Sequence, residues 1–203
     1  ADVDLFSKLG HVIGDFKMDK IDNIDQAKYD GKFELDNFDL GAFLEEKDLG
    51  RTSVVLDING TGFSKKYLNT KAKGNVGQFR YNGYTYKNID VDGTFKMPYF
   101  KGALNSKDSN LKMTFDGLVD LSKKKKEYDF DAKIAYADIK KTNLYTKDAK
   151  SIFSGNIKMK AKGNSLDDLA GVIDLENISY MNQKADYYFD NAYITSSFDS
   201  NNV

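Results

Sequence analysis

Cysteine and tryptophan are absent from the 203 residues, and there is one proline, Pro98, and one histidine, His11. Without cysteine there is no disulfide and no thiolate metal site. A Ser-His-Asp triad, a two-histidine zinc site or a Cys-His pair would need His11 or more than His11, and no G-x-S-x-G elbow accompanies it. His11 therefore reads as a surface or strand-end residue. Charge of one sign is also lacking: 30 Lys and Arg oppose 31 Asp and Glu. A net charge near −1 excludes nucleic-acid binding that relies on bulk electrostatics. No apolar run approaches the length of a membrane-spanning helix, and Ala1 does not open a signal peptide. The chain starts and stops in patterned sequence, and it is expected to be an internal segment of a longer protein.

Aromatic residues are plentiful, with 13 Tyr and 14 Phe, and sixteen glycines supply turns and bulges. Apolar and polar residues alternate over much of the chain. Ile89, Val91, Gly93, Phe95 and Met97 share one phase, against Asn88, Asp90, Asp92, Thr94 and Lys96 in the other. The same period of two appears at Val54-Leu56-Ile58, Leu111-Met113-Phe115, Tyr128-Phe130-Ala132-Ile134, Phe153-Gly155-Ile157-Met159-Ala161 and Tyr187-Phe189. This is the pattern of strands with one face apolar and the other wet. Asn82-Gly83 between Tyr81 and Tyr84 predicts a two-residue hairpin turn. Ser106 to Asn110 predicts a longer loop, and Ser122 to Glu127 a lysine-rich one. Helix signals are short: Asp39 caps a turn presenting Leu40, Phe43 and Leu44, and Ser165 with Asp168 forms a capping box stopped near Gly171.

A loose internal repeat is present. Lys-Ala-Lys-Gly-Asn occurs at 71–75 and again at 160–164. Tyr86-x-Asn88…Phe95 is echoed by Phe189-x-Asn191…Phe198, and Phe38-Asp39-Leu40 by Ala137-Asp138-Ile139. The unit is about a hundred residues with insertions, which predicts an elongated sheet growing strand by strand. We expect one β-rich segment over 1–203 with a repeat boundary near 100–140.

Other motifs lose to the alternation. Asn88 to Gly93 has the first half of a calcium loop, but the twelfth position is Tyr99, where a bidentate Glu is required. Gly60-Thr61-Gly62 lacks the third glycine of a dinucleotide fingerprint and the lysine of a P-loop. Most acids are Asp in the polar phase, which marks no desolvated carboxylate of the kind a glycosidase needs. Lys123 to Lys126 fits a solvated hairpin tip, or a contact with anionic headgroups. No catalytic residue, cofactor or metal is expected. The aromatic content has two readings: the dry core of a closed β-sandwich or solenoid adhesion module, or the face of an open curled sheet that needs a lipid or other ligand.

Phe38-Asp39-Leu40, Asp48-Leu49-Gly50, Gly60-Thr61-Gly62-Phe63 and Tyr81-Asn82-Gly83-Tyr84-Thr85-Tyr86-Lys87-Asn88-Ile89 follow one another in an order that resembles the TamB-like proteins of Bacteroidota. Phe100-Lys101-Gly102, Asp108-Ser109-Asn110-Leu111, Phe115 to Leu121, Gly171-Val172-Ile173 and Asn177-Ile178-Ser179-Tyr180 continue it over most of 30–195. The first thirty residues fit only through Gly14-Asp15-Phe16-Lys17-Met18. The resemblance implies membership of the AsmA-like group: periplasmic proteins anchored in the inner membrane, with all-β sheets curled into an open hydrophobic groove (a β-taco) and only one- to two-turn helices. It further implies a phospholipid bridge between inner and outer membranes, neighbouring repeats of the same chain as partners, and in some members an outer-membrane assembly barrel. Acyl chains would then lie on Leu56, Ile58, Ile89, Val91, Phe95, Met97, Leu111, Met113, Phe115, Phe130, Ile134, Ile157 and Met159.

Overall fold

The computed structural model describes residues 2–197. Twelve strands follow in chain order: β1 (Asp2–Ser7), β2 (Gly10–Asp19), β3 (Lys28–Asp39), β4 (Leu49–Thr61), β5 (Asn69–Tyr81), β6 (Tyr84–Lys96), β7 (Tyr99–Asp108), β8 (Leu111–Asp120), β9 (Glu127–Asp138), β10 (Ser151–Lys162), β11 (Ala170–Asn182) and β12 (Asp186–Ser196). Their order in space is their order in sequence, in one curled sheet that does not close into a barrel. Connections this short allow only antiparallel neighbours. Asn82 and Gly83 both have positive φ, as a tight hairpin turn demands. Phe198 lies outside the described residues.

The helical elements are the expected two. One turn, α1 (Leu40–Leu44), is capped by the Asp39 carboxylate, which accepts from the Ala42 N–H at 3.0 Å. A 3₁₀ turn, Leu166–Asp168, carries the Ser165/Asp168 capping box. Neither is large enough to cover the sheet. Accessible surface is 12774 Å², against about 9,600 Å² for a compact globule of this mass. The excess is what a single-layer sheet leaves in water.

Two expectations need correcting. The loop over 106–110 shrinks to Ser109-Asn110, because β7 runs on to Asp108. Asp108 makes the short turn possible: its carboxylate accepts from the Asn110 N–H at 2.8 Å, the Lys87 N–H at 2.9 Å and the Tyr84 hydroxyl at 2.7 Å. Met97, expected on a strand face, sits in the β6–β7 turn before Pro98, whose missing N–H cannot continue a ladder.

The strands bend along a line of irregularities. Asn37, Asn88 and Asn177 all lie inside strands with φ near +50°, a conformation asparagine tolerates better than most residues. Register shifts accompany the first and last of them, between Leu35 and Phe38 on β3 and between Ser154 and Asn156 on β10, opposite the Asn177 region. Bulges of this kind strengthen local twist and curl a sheet.

Candidate functional site: an uncovered apolar trough

Directly opposed residues of an antiparallel pair project to one face, so the register can be followed across the sheet. One row reads Phe33, Leu56, Gly74, Val91, Leu104, Phe115, Ala132, Ile157, Leu175 and Ala192. Beside it run Phe16, Gly31, Ile58, Ala72, Gly93, Gly102, Gly117, Phe130, Met159, Ile173 and Ile194. On the other side lie Val12, Leu35, Val54, Val76, Ile89, Ser106, Met113 and Ile134. Phe95 opposes Thr70 and Phe100, and Leu111 opposes Ala137, in the same phase. Every residue expected to line a groove therefore shares one face, Met97 excepted.

The opposite face is charged. Its central row is Asp15, Lys32, Asp57, Lys73, Asp92, Ala103, Asp116, Asp131, Lys158 and Asp174. Lys73 pairs with Asp92 at 2.9 Å and, a row away, Lys107 with Asp90 at 2.9 Å. These pairs are exposed and contribute little to stability individually. Two open depressions are lined in part by Lys, Asp and Asn residues of this face, the first also by Val91, Leu104 and Phe115 and the second by Ile58 and Ala72. Among the described residues, no group of three or more His, Cys, Asp or Glu is placed to hold a metal ion.

One pair breaks the alternation of sign. Asp116 directly opposes Asp131, and the Asp131 Oδ1 is buried without a hydrogen-bond partner. Like charges opposed across strands destabilise. Asp116→Lys should raise the urea midpoint at unchanged slope, corresponding to about 0.5–1 kcal/mol. An unchanged or lowered midpoint would show that the carboxylates do not strain the sheet.

The apolar face holds a run of rings. Phe95 and Phe100 have centroids 4.8 Å apart, Phe100 and Phe115 5.8 Å, and Phe115 and Phe130 5.2 Å. Phe100 leans over Gly93, where a Cβ would meet its ring. Burial is deepest toward the N-terminal strands, where Leu35, Phe38 and Val54 form a cluster backed by Leu9, Val12, Phe33, Leu56 and Val76. From β6 onward most side chains of this face are only half-buried, and at β12 they are exposed. The apolar face is thus more deeply covered at its N-terminal strands than toward β12.

Turns at both ends of the strands fold over the apolar side and are tied to one another. At one rim the Gly62 N–H donates to the Ala27 carbonyl at 2.8 Å, the Leu121 N–H to Pro98 at 3.0 Å and the Gly163 N–H to Lys126 at 3.0 Å. Phe63 stacks on Tyr29, 4.6 Å between centroids. At the other rim the Asn82 N–H donates to the Asp48 carbonyl at 2.7 Å, and Asn82 and Asn143 exchange amide-to-carbonyl bonds at 3.0 and 2.9 Å. Phe38 meets Phe43 of α1 edge-on. The 139–150 connection is a strap here: it follows β9 yet reaches the β5–β6 hairpin, passing the ends of β7 and β8.

Tyr86 fastens that strap. It projects from the apolar face, and its hydroxyl donates to the Thr142 carbonyl at 2.9 Å in a buried setting. Burial pushes its pKa up to about 12, partly offset by the bond to Thr142. The neutral form is therefore favoured by folding. Its contribution is fully present below the ordinary tyrosine value near 10 and is lost as pH rises from there through about 12. Tyr86→Phe should cost about 1 kcal/mol and speed amide exchange in 139–150 while leaving β1–β4 unchanged. Equal exchange in both proteins would mean the strap is held by other bonds.

Sequence reasoning missed Phe33, Val76, Phe100, Leu104, Ile173 and Leu175 as members of this face. Phe100-x-Gly102-x-Leu104 carries the period-two signal, muted by its glycine. His11 sits on the charged face near the β1 edge, 2.6 Å from the Asp4 carboxylate and stacked on Phe6 at 3.7 Å. Lys123 of the lysine run bridges Asp120 and Glu127 at a hairpin tip. No helix among the described residues is long and apolar enough to cross a membrane. What these elements define is an open, single-layer antiparallel sheet with one apolar and one charged face. Comparison with known proteins returned no matching family model, no matching curated protein and no matching solved structure.

Proposed function

We propose that this chain is part of a hydrophobic conduit, a periplasmic scaffold along which phospholipids pass between the inner and outer membranes with their acyl chains in the trough. The observation that carries the reading is the apolar phase that runs from strand to strand with no second sheet packed over it among the described residues. An apolar face of this extent calls for an occupant. The trough crosses the strands, and twelve of them at a spacing of about 4.8 Å give it a length of about 53 Å. That is long enough to hold lipids in file and to continue into neighbouring repeats of the same protein.

The energetics suit passage rather than storage. A buried methylene gains about 0.8 kcal/mol relative to water. A bilayer offers the same gain, so transfer into a groove of similar apolarity is close to neutral. A specific polar pocket on the floor would trap headgroups. The polar groups on the apolar side, such as the Tyr84–Asp108 pair, instead sit toward the rim and are already bonded. The TamB-like resemblance points the same way, toward outer-membrane biogenesis, with an assembly barrel as a partner of other parts of such a protein. No catalysis and no cofactor enters this reading.

Titration with a phospholipid bearing a pyrene-labelled acyl chain tests it. The expected result is saturable binding, displaced by unlabelled phospholipid and indifferent to the deacylated glycerophosphodiester. Displacement by the deacylated headgroup, or no binding, would refute an acyl-chain site.

A further inference from the structure

We propose that the mouth of the trough over β9 seats the phosphate of anionic phospholipids, so that the conduit selects lipids of net negative charge over zwitterionic ones. The inference rests on the conduit reading and adds the class of headgroup. It starts from how charge divides along the chain. Among the described residues the twelve strands hold 16 Lys and Arg against 22 Asp and Glu, whereas the segments joining them hold 14 lysines against 8 acids. The sheet is therefore acidic and its rims are basic.

Each inner strand ends in one connecting segment at either rim, and the signs of the two segments decide what the mouth above that strand can hold. At β4 they are opposite. The 40–48 segment carries Glu45, Glu46 and Asp48 against Lys47, and the 62–68 turn carries Lys65 and Lys66. Both segments lie over the apolar side, with Phe43 against Phe38 and Phe63 against Tyr29. The Lys65 ammonium pairs there with the Glu46 carboxylate, one rim with the other. The rims thus come within side-chain reach, and the chain's own charges bridge the mouth.

At β9 the signs are the same. The 121–126 turn carries four lysines and no acid, and the 139–150 strap carries four lysines against Asp148 alone. The neighbouring 163–169 turn adds Asp167 and Asp168, but the Asp168 carboxylate already accepts from the Asn164 and Ser165 N–H groups, both at 2.6 Å. Some of these lysines are engaged locally: Lys123 with Asp120 and Glu127, Lys141 with Asp138, and Lys140 with the Thr146 carbonyl. The ammonium groups of Lys124, Lys126, Lys147 and Lys150 have no such partner among the described residues. Like-signed rims repel, and their complement is an anion between them. An acyl chain lying on Phe115 and Phe130 carries its phosphodiester to this mouth. A phosphate that brings its own ammonium group gains little from more cations, whereas one without it is drawn by both rims.

Dihexanoyl phospholipids, monomeric below their micelle concentration, test this by displacing the pyrene-labelled phospholipid. The phosphatidylglycerol should bind about tenfold more tightly than the phosphatidylcholine at low ionic strength. The difference should vanish near about 0.5 M salt, where the lysine charges are screened. Lys124→Gln, Lys126→Gln, Lys147→Gln and Lys150→Gln together should level the two affinities by weakening the phosphatidylglycerol alone. Lys71→Gln with Lys101→Gln, on the charged face, should leave the preference intact. Equal affinities in the parent chain would overturn the headgroup seat and leave the conduit standing. So would a preference that outlasts the four rim substitutions, or one lost equally in the charged-face pair. Binding of neither lipid would refute the conduit and this seat with it.

Discussion

Phe115→Asp should abolish acyl-chain binding while leaving the sheet folded. Phe115 is half-buried at the centre of the trough between Phe100 and Phe130. In the empty trough a carboxylate there can still reach water, so the fold loses ring packing worth about 1–2 kcal/mol and little else. Under an acyl chain the same carboxylate would be desolvated without a partner, at a cost of several kcal/mol. That difference predicts at least a hundredfold loss in affinity for the pyrene-labelled lipid, with a cooperative thermal transition retained. If Phe115→Asp instead unfolds the protein, Phe115 belongs to a closed core. If binding survives, lipid does not lie on this face.

Gly102→Val is expected to have the largest effect on the fold itself. Gly102 lies mid-strand with φ +153°, flanked across the ladders by Gly93 and Gly117. A Cβ there would fall on the Asp92 carbonyl and the Gly93 Cα, which are backbone atoms of the next strand and cannot turn aside. Strain and overpacking together should cost about 3 kcal/mol or more, enough to separate β6 from β7. Gly77→Ala is the matched control: only the Ser53 carbonyl comes near, at 3.6 Å, and the change should be neutral or stabilising by about 0.5 kcal/mol. Urea midpoints of the two variants read the contrast directly. Similar midpoints would mean that the small-residue band is not what lets these strands approach.

Much of this architecture is written in a period of two. Strands such as Leu111–Asp120 and Glu127–Asp138 follow from alternation alone, and the Asn82-Gly83 turn from the two residue types able to adopt positive φ side by side. What alternation does not carry is the phase of one strand relative to the next. That phase is set by turn lengths and by the positive-φ asparagines Asn37, Asn88 and Asn177, which in sequence look like any other polar position. Met97 shows the limit from the other side: its phase continues that of Phe95, but Pro98 ends the strand first. Whether the apolar face would be covered was equally illegible, because both a closed sandwich and an open sheet satisfy the same pattern. The chain supplies no second sheet among its described residues. The strap over 139–150 depends on Tyr86 and Asn82 reaching across intervening strand ends, a long-range pairing with no local signature.

Openness also explains why the glycines and aromatics occur together. A single layer has no opposing sheet to fill the gaps along its floor, so rings such as Phe16 and Phe100 lie over neighbouring Gly14 and Gly93 instead. The face that results is apolar and, from β6 onward, mostly half-buried, which suits the proposed passage of acyl chains.

Native mass spectrometry of the chain purified without delipidation, with organic extraction of the same sample, tests the conduit most directly. The account predicts phospholipid adducts on the folded protein, a matching extract, and loss of both in Phe115→Asp. A folded chain that carries no lipid and takes up none from added phospholipid would contradict it.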